Sequence, residues 1–412
     1  MARRDAPASD GVATGTVPAG SAAEVFGAFL RLGLTSFGGP IAHLGYFRNE
    51  LVLRRRWLDD RAYGDLVALC QFLPGPSSSQ VGFALGLSRA GWPGALAAFA
   101  GFTLPSALLM VLFATLAPRL DGPAGAGALH GLKIVAVAIV AQAVWGMARS
   151  LCPDRPRAGI AVAAVAVLAF VPGAFGMIGA ILAGAVAGLV LCRGAAQPAA
   201  PAVLPLSRAG GIAALAAFGA GLVLLPLLAG SSQAWAVVDG FYRAGALVFG
   251  GGHVVLPLLE GEVVARGWVT QDAFLAGYGA AQAVPGPLFT FAAYLGAVLG
   301  PEPSGWLGAA LALGAVFLPG FLVLAGALPF WNALRARPAP QAMMQGANAA
   351  VVGILGAALY HPIFTSAVGG PPDLALAAAC FVALTVWQAP AWAVVLAGAA
   401  GGIVLSLVAA AA

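Results

Sequence analysis

Charge is scarce in this 412-residue chain: Asp, Glu, Lys and Arg together make up 8% of it, against about 25% in an ordinary soluble domain. So few charged groups cannot clothe a water-exposed surface, which excludes a free-standing soluble domain. Cysteine is scarce too, and Cys70, Cys152, Cys192 and Cys380 show neither paired nor metal-ligand spacing. They read as inert helix residues, with no metal site. Also missing are HExxH, a P-loop, a GxGxxG after a strand and any Cys/His cluster. No cofactor and no enzymatic activity are expected, and an ATP motor would have to come from a partner chain. The first 22 residues hold no seven-residue apolar core, so they read as a disordered cytoplasmic tail and not as a signal peptide.

What fills the chain is apolar: 61% hydrophobic residues, with 57 Gly and 29 Pro, at a mean hydropathy of +0.93. Its apolar runs are continuous, whereas a membrane β-barrel needs alternating segments of about ten residues. The expected fold class is an all-α polytopic membrane protein whose helices pack closely and are often interrupted. The formal net charge of +5 comes from arginines that tend to cluster in loops. It therefore speaks of topology in a lipid bilayer and not of nucleic acid.

The chain is written twice. FLRLGLTSFGG at 29–39 is answered by FYRAGALVFGG at 241–251, Gln71 by Gln282, and PGP at 74–76 by PGP at 285–287. ILAGAVAGLVL at 181–191 is answered by VLAGAAGGIVL at 395–405, and all these pairs lie 211 to 214 residues apart. The division is a tail over 1–22, a first repeat over 23–193, a linker over 194–235 with one unmatched span near 211–229, and a second repeat over 236–412. An odd span between equal halves inverts the second half. The loop RNELVLRRRWLDDR at 48–61 has five arginines, whereas EGEVVARGWVTQD at 260–272 has one among three acids. The positive-inside rule places those loops on opposite sides of the membrane. Arg193, Arg335 and Arg337 then fall on the cytoplasmic side and Arg119 is the misfit, provided that the segment near 62–87 enters and returns without crossing. Around ten crossing segments are expected beside the re-entrant ones.

Each copy has two breaks where a spanning helix should be continuous. SFGGP at 36–40 is answered by VFGGG at 248–252, and FLPGPSSSQ at 72–80 by AVPGPLFTF at 283–291. Irregular backbone survives at membrane depth only when buried in protein or lining a wet cavity, and inverted repeats with broken helices characterise secondary transporters. A helix start displays free N–H groups and the positive end of its dipole, which together bind anions. Gly38, Gly39, Gly250, Gly251 and Gly252 let an oxyanion approach the backbone, and Ser77, Ser78 and Ser79 add hydroxyls; the second copy replaces these serines with Leu288, Phe289 and Thr290. Arg31 and Arg243 occupy equivalent positions inside apolar helices, where a guanidinium usually faces a partner, cavity or substrate. Its fork of donors suits tetrahedral oxyanions. His253 follows the second glycine run and either donates to an anion or titrates with pH, or else caps a helix or bonds water. Glu50, Asp65, Lys133 and Glu262 are the coupling candidates, with loop charge as the competing role for the two glutamates. Kinks for helix packing and snorkelling arginines are the bland alternatives.

Taken together, SFGGP, RRRWLDD, QFLPGPSSSQ, FGGGHVVLPLLE and QAVPGP resemble the chromate transporter family in its two-domain long-chain form. The resemblance covers the chain from about residue 25 onward. It implies a multi-pass carrier of the bacterial inner membrane, with antiparallel homologous halves, that expels chromate using the membrane potential or an ion gradient, sulfate being a chemical mimic. The family's motif residues carry onto Phe37, Gly38, Gly39, Pro40, Pro74, Gly75 and Pro76. In the second half they carry onto Gly250, Gly251, Gly252, His253, Pro285, Gly286 and Pro287. The expected substrate site comprises these residues with Ser77, Ser78, Ser79, Thr290, Arg31 and Arg243. Other anions and an anion channel are the rival functions, and a homodimer is an open option.

Overall fold

The computed structural model describes residues 20–120, 122–192, 206–331 and 337–411. The tail to residue 19, Arg193, residues 194–205 of the linker and Arg335 lie outside the described residues. Those described form helices and connecting turns, with no strand.

Helix α1 (Ala22–Thr35) starts at Ser21, whose side chain accepts from the Glu24 N–H, and Glu24 itself sits in the positive first turn. The helix ends at the first glycine break, where Gly38 and Gly39 take φ of +100° and +80°. A left-handed residue bearing a Cβ costs roughly 1–2 kcal/mol, so glycine is what allows the chain to turn here. Helix α2 (Gly39–Phe47) then runs back along α1. Phe47 meets Phe29 edge to face at 5.4 Å, and the Trp57 indole donates to Glu24 at 3.2 Å. With the π-helical turn Arg48–Arg54, the pair makes a re-entrant hairpin tipped by SFGG.

Helix α3 (Asp60–Phe72) and the first leg of α4 (Ser77–Leu116) make a second hairpin, tipped by the PGP break. Its return is marked by Arg89, whose guanidinium reaches Glu24 at 3.1 Å. The segment near 62–87 therefore enters and leaves at one end of the bundle. The chain reverses at Ala90 and Gly91, and the second leg of α4 crosses to the far end.

The second half repeats this plan from the opposite end. Helices α9 (Gln233–Ala246) and α10 (Val255–Val263) flank VFGGG, α11 (Gln271–Ala281) and α12 (Phe291–Ala297) flank the second PGP, and α13 (Gly305–Ala327) crosses. The Gly300 N–H donates to the Trp268 carbonyl at 2.8 Å, closing the base of the α11–α12 hairpin. The unmatched span is α8 (Arg208–Ala229), which packs on α9 and α13. The fold is thus two homologous halves in inverted topology with re-entrant helices.

The four hairpins, the crossing leg of α4, α8 and α13 form one body. A second body consists of α5 (Gly122–Leu151), α6 (Arg155–Phe170), α7 (Ala174–Leu191), α14 (Pro338–Ala358), α15 (Pro371–Thr385) and α16 (Ala391–Ala411). Here α5 packs on α16 while α14 packs on α6 and α7, so each half clasps the last helix of the other. Gly131 faces Gly398, and Gly346 faces Gly184, backbone to backbone, the small-residue contact that lets apolar helices approach without a hydrophobic drive between them. The bodies meet mainly where α5 lies on α11, with Lys133 Nζ 2.9 Å from Asp272 Oδ1.

Six described helices are long and apolar enough to cross a membrane, fewer than the ten or so expected. The eight hairpin legs re-enter instead of crossing, and α6, α7 and α15 are short. An apolar run of 25 residues reads alike whether it spans once or folds on itself.

Candidate functional site

The four breaks converge. The Gly75 N–H donates to the Val248 carbonyl at 2.7 Å, and the Gly286 N–H donates to the Ser36 carbonyl at 2.8 Å. These are one bond made twice, since the internal repeat relates Gly75 to Gly286 and Ser36 to Val248. Each proline break is thereby tied to the glycine break of the other half. Gly75 and Gly286 have φ of +117° and +98°, and a Cβ built on them would lie 2.9 Å from Gly320 Cα and 2.8 Å from Ser106 Oγ. At the centre two equivalent residues meet, with Pro40 Cγ 3.4 Å from the Cβ position of Gly252.

Beside this junction lies a cavity of about 220 Å³ between the two bodies. The hairpin body contributes Gly38, Gly39 and Pro40, from the first turn of α2, together with His253, Ala281, Gln282, Val284, Gly286 and Leu288. The other body contributes Ile139, Gln142, Leu384, Gln388 and residues 389–391. Among the described residues, no Asp, Glu, Lys or Arg stands in the wall. His253 Nδ1 is 2.7 Å from the buried Tyr278 hydroxyl, which orients the ring. Gln142 Nε2 donates to the Leu384 carbonyl and Gln388 Nε2 to the Thr385 carbonyl. Gln282 Nε2 is buried and has no hydrogen-bond partner among the described residues. The cavity wall therefore brings together a residue with an unpartnered amide and the first turn of a helix, whose leading N–H groups lack intrahelical acceptors. The equivalent position beside Gly250 is filled by Leu151, Met147 and Asn348.

Of the residues singled out from sequence, Gly38, Gly39, Pro40, His253 and Gly286 line this cavity. Phe37, Pro74, Gly75, Pro76, Gly250, Gly251, Gly252, Pro285 and Pro287 build the tips and the junction without entering the wall. The serines also stay out: Ser78 Oγ bonds His43 Nδ1 at 3.3 Å, Ser79 is buried, and Ser77 opens α4. Thr290 donates to the Pro287 carbonyl at 2.9 Å.

The structure does not bring the two arginines to the cavity. Arg31 is exposed on α1. Arg243 bonds Asp239 and lies 3.6 Å from Glu262, which in turn holds Arg266 at 2.6 Å. Two buried carboxylates thus take the guanidinium that sequence assigned to substrate. Glu50 accepts from Arg54 and Arg55 at 2.8 and 2.7 Å, Lys133 pairs with Asp272, and Asp65 lies on α3 outside the wall. Sequence reading missed the glutamines. Gln282 carried a signal, its match to Gln71 in the repeat; Gln142 and Gln388 carried none.

The chromate transporter family matches residues 23–189 and 235–403. The chain is similar to the "Chromate transport protein" of Pseudomonas aeruginosa, 30% identical over 86% of this chain and 84% of that one. It is 28% identical to the "Chromate transport protein" of Cupriavidus metallidurans over 80% of each chain. With the "Probable chromate transport protein" of Synechococcus elongatus it shares 27% identity over 85% of this chain and 89% of the other. No solved structure matches it. On these matches and its inverted, multi-pass fold, the chain belongs to the chromate transporter family.

Proposed function

We propose that this protein exports chromate by alternating access, with the dianion held in the cavity between its two bodies. The observation that carries this reading is the cavity where the first turn of α2, at Gly38, Gly39 and Pro40, meets Gln282, whose Nε2 is buried without a hydrogen-bond partner among the described residues. A buried donor without a partner costs about 1–3 kcal/mol; turned toward the cavity, the amide gains a tetrahedral oxyanion as acceptor, which removes that cost.

The uncharged wall suits a carrier. At an effective dielectric constant of about 20, a fixed cation 4 Å away would attract each unit of anion charge by about 4 kcal/mol. A dianion so held would leave slowly. Neutral donors and a helix dipole hold it and let it go. Because the wall is shared, sliding or rocking the hairpin body against the other body opens the cavity to one side and then the other. The internal repeat supplies two related arrangements for this, of which the Gly38 side is open and the Gly250 side is filled. The Lys133–Asp272 pair joins the bodies across the surface that must move.

Uptake of radiolabelled chromate into everted vesicles tests the reading. Wild-type vesicles should concentrate chromate, sulfate should compete, and Gln282→Leu should weaken uptake through a raised KM. Equal uptake by vesicles with and without the protein would refute it, and flux that only equilibrates chromate would identify a channel.

A further inference from the structure

The two halves share a backbone plan but not an interior. Beside the junction the first half buries Ser36, His43, Ser79, Gln80 and Thr103, each 3% exposed or less. By the internal repeat their counterparts are Val248, Val255, Thr290, Phe291 and Phe317. In each of the five first-half residues one side-chain polar atom has no hydrogen-bond partner among the described residues: Ser36 Oγ, His43 Nε2, Ser79 Oγ, Gln80 Oε1 and Thr103 Oγ1. Packing alone does not call for such a cluster, because the second half fills the same positions with apolar side chains and Thr290. Buried polar atoms without protein partners are the places where ordered water binds.

His43 is the titratable member. Its Nδ1 meets Ser78 Oγ at 3.3 Å, its ring stands edge-on to Phe102 at 5.3 Å, and the Ser36 backbone lies against it. The Ser36 carbonyl accepts the Gly286 N–H, and Gly286 lines the cavity. The titratable and charged groups of the neighbouring segments have partners of their own. Tyr63 of α3 donates to the Leu44 carbonyl at 2.6 Å, and Glu50, Arg54 and Arg55, on the turn after α2, pair among themselves. Of these five side chains only the imidazole takes up a proton.

We propose that His43 carries the coupling proton of the transport cycle. It takes a proton at Nε2 from water on one side of the membrane and releases it to water on the other, as the bodies move and the oxyanion travels the opposite way. The proposal rests on the transport reading above. Protonation places a positive charge behind the Ser36–Gly286 link, and so changes the field at the cavity without a cation in its wall.

The test uses purified full-length protein in proteoliposomes, with two assays of radiolabelled chromate: uptake driven by a pH gradient, and exchange of internal for external chromate without a gradient. Wild type should perform both. His43→Gln should lose at least tenfold of gradient-driven uptake and keep exchange within twofold, because exchange needs no net proton movement. Gradient-driven uptake at the wild-type level in this variant would overturn the proposal, and so would a parallel fall of both activities in a variant that elutes as folded protein. Wild-type exchange without any response to the gradient overturns the proposal and leaves the transport reading standing; absence of wild-type exchange removes that reading itself. If His43→Gln does not assemble, Ser78→Ala serves. Loss of its bond to Nδ1 should move the pH midpoint of uptake by about half a unit or more, and an unmoved midpoint overturns the proposal.

Discussion

On the proposed site, Gln282 and the two repeat-related arginines divide the work differently from what residue type alone suggests. A hydrogen bond to a charged partner contributes about 1.5–3 kcal/mol, so Gln282→Leu should raise the KM for chromate by about 10- to 150-fold while the protein folds normally. Arg31→Ala should leave transport within about twofold, since its side chain is exposed and outside the cavity. Arg243→Ala should act on stability instead. It leaves Asp239 and Glu262 short of a cation in a buried setting, a loss of about 3–5 kcal/mol, read as a lower melting temperature in detergent. The glycines of the site were legible in sequence because a left-handed backbone demands a particular residue. The glutamines were not, because an amide in an apolar helix looks the same whether it faces lipid, a carbonyl or a ligand. The place of the arginines was hidden for a similar reason: an intramembrane guanidinium needs a partner, and sequence does not say whether that partner is Asp239 or a substrate.

At the scale of elements, the broken helices were legible as breaks but not as hairpins. SFGGP and PGP announce that a helix stops; whether the next leg continues or returns depends on long-range contacts such as Phe29 on Phe47 and Arg89 on Glu24. The repeat supplied the inversion, while the sharing of helices between halves appeared only in three dimensions. Gly286→Ala should be severe, because its φ is +98° and the added Cβ would press on Ser106. Strain of about 1–3 kcal/mol together with displacement of the Ser36 link should lower both melting temperature and transport. Gly75→Ala should behave alike, being the same bond on the other side of the pseudo-twofold axis.

For the whole molecule, the proposed alternating access requires that the two bodies change their relation, and the α5–α11 contact is where that change can be arrested. In a variant lacking its four native cysteines, Lys133→Cys and Asp272→Cys bridged by a short bismaleimide should abolish transport, since Lys133 and Asp272 lie within 2.9 Å of each other. A matched bridge within one body, between Arg48→Cys and Asp60→Cys, which are exposed and paired at 2.6 Å, should not. The most direct measurement is the position of the anion itself. Diffraction from crystals soaked in chromate, recorded at the chromium absorption edge, should give an anomalous peak in the cavity between Gly38, Gly39 and Gln282. A peak beside Arg31 or Arg243, with the cavity empty, would contradict the account.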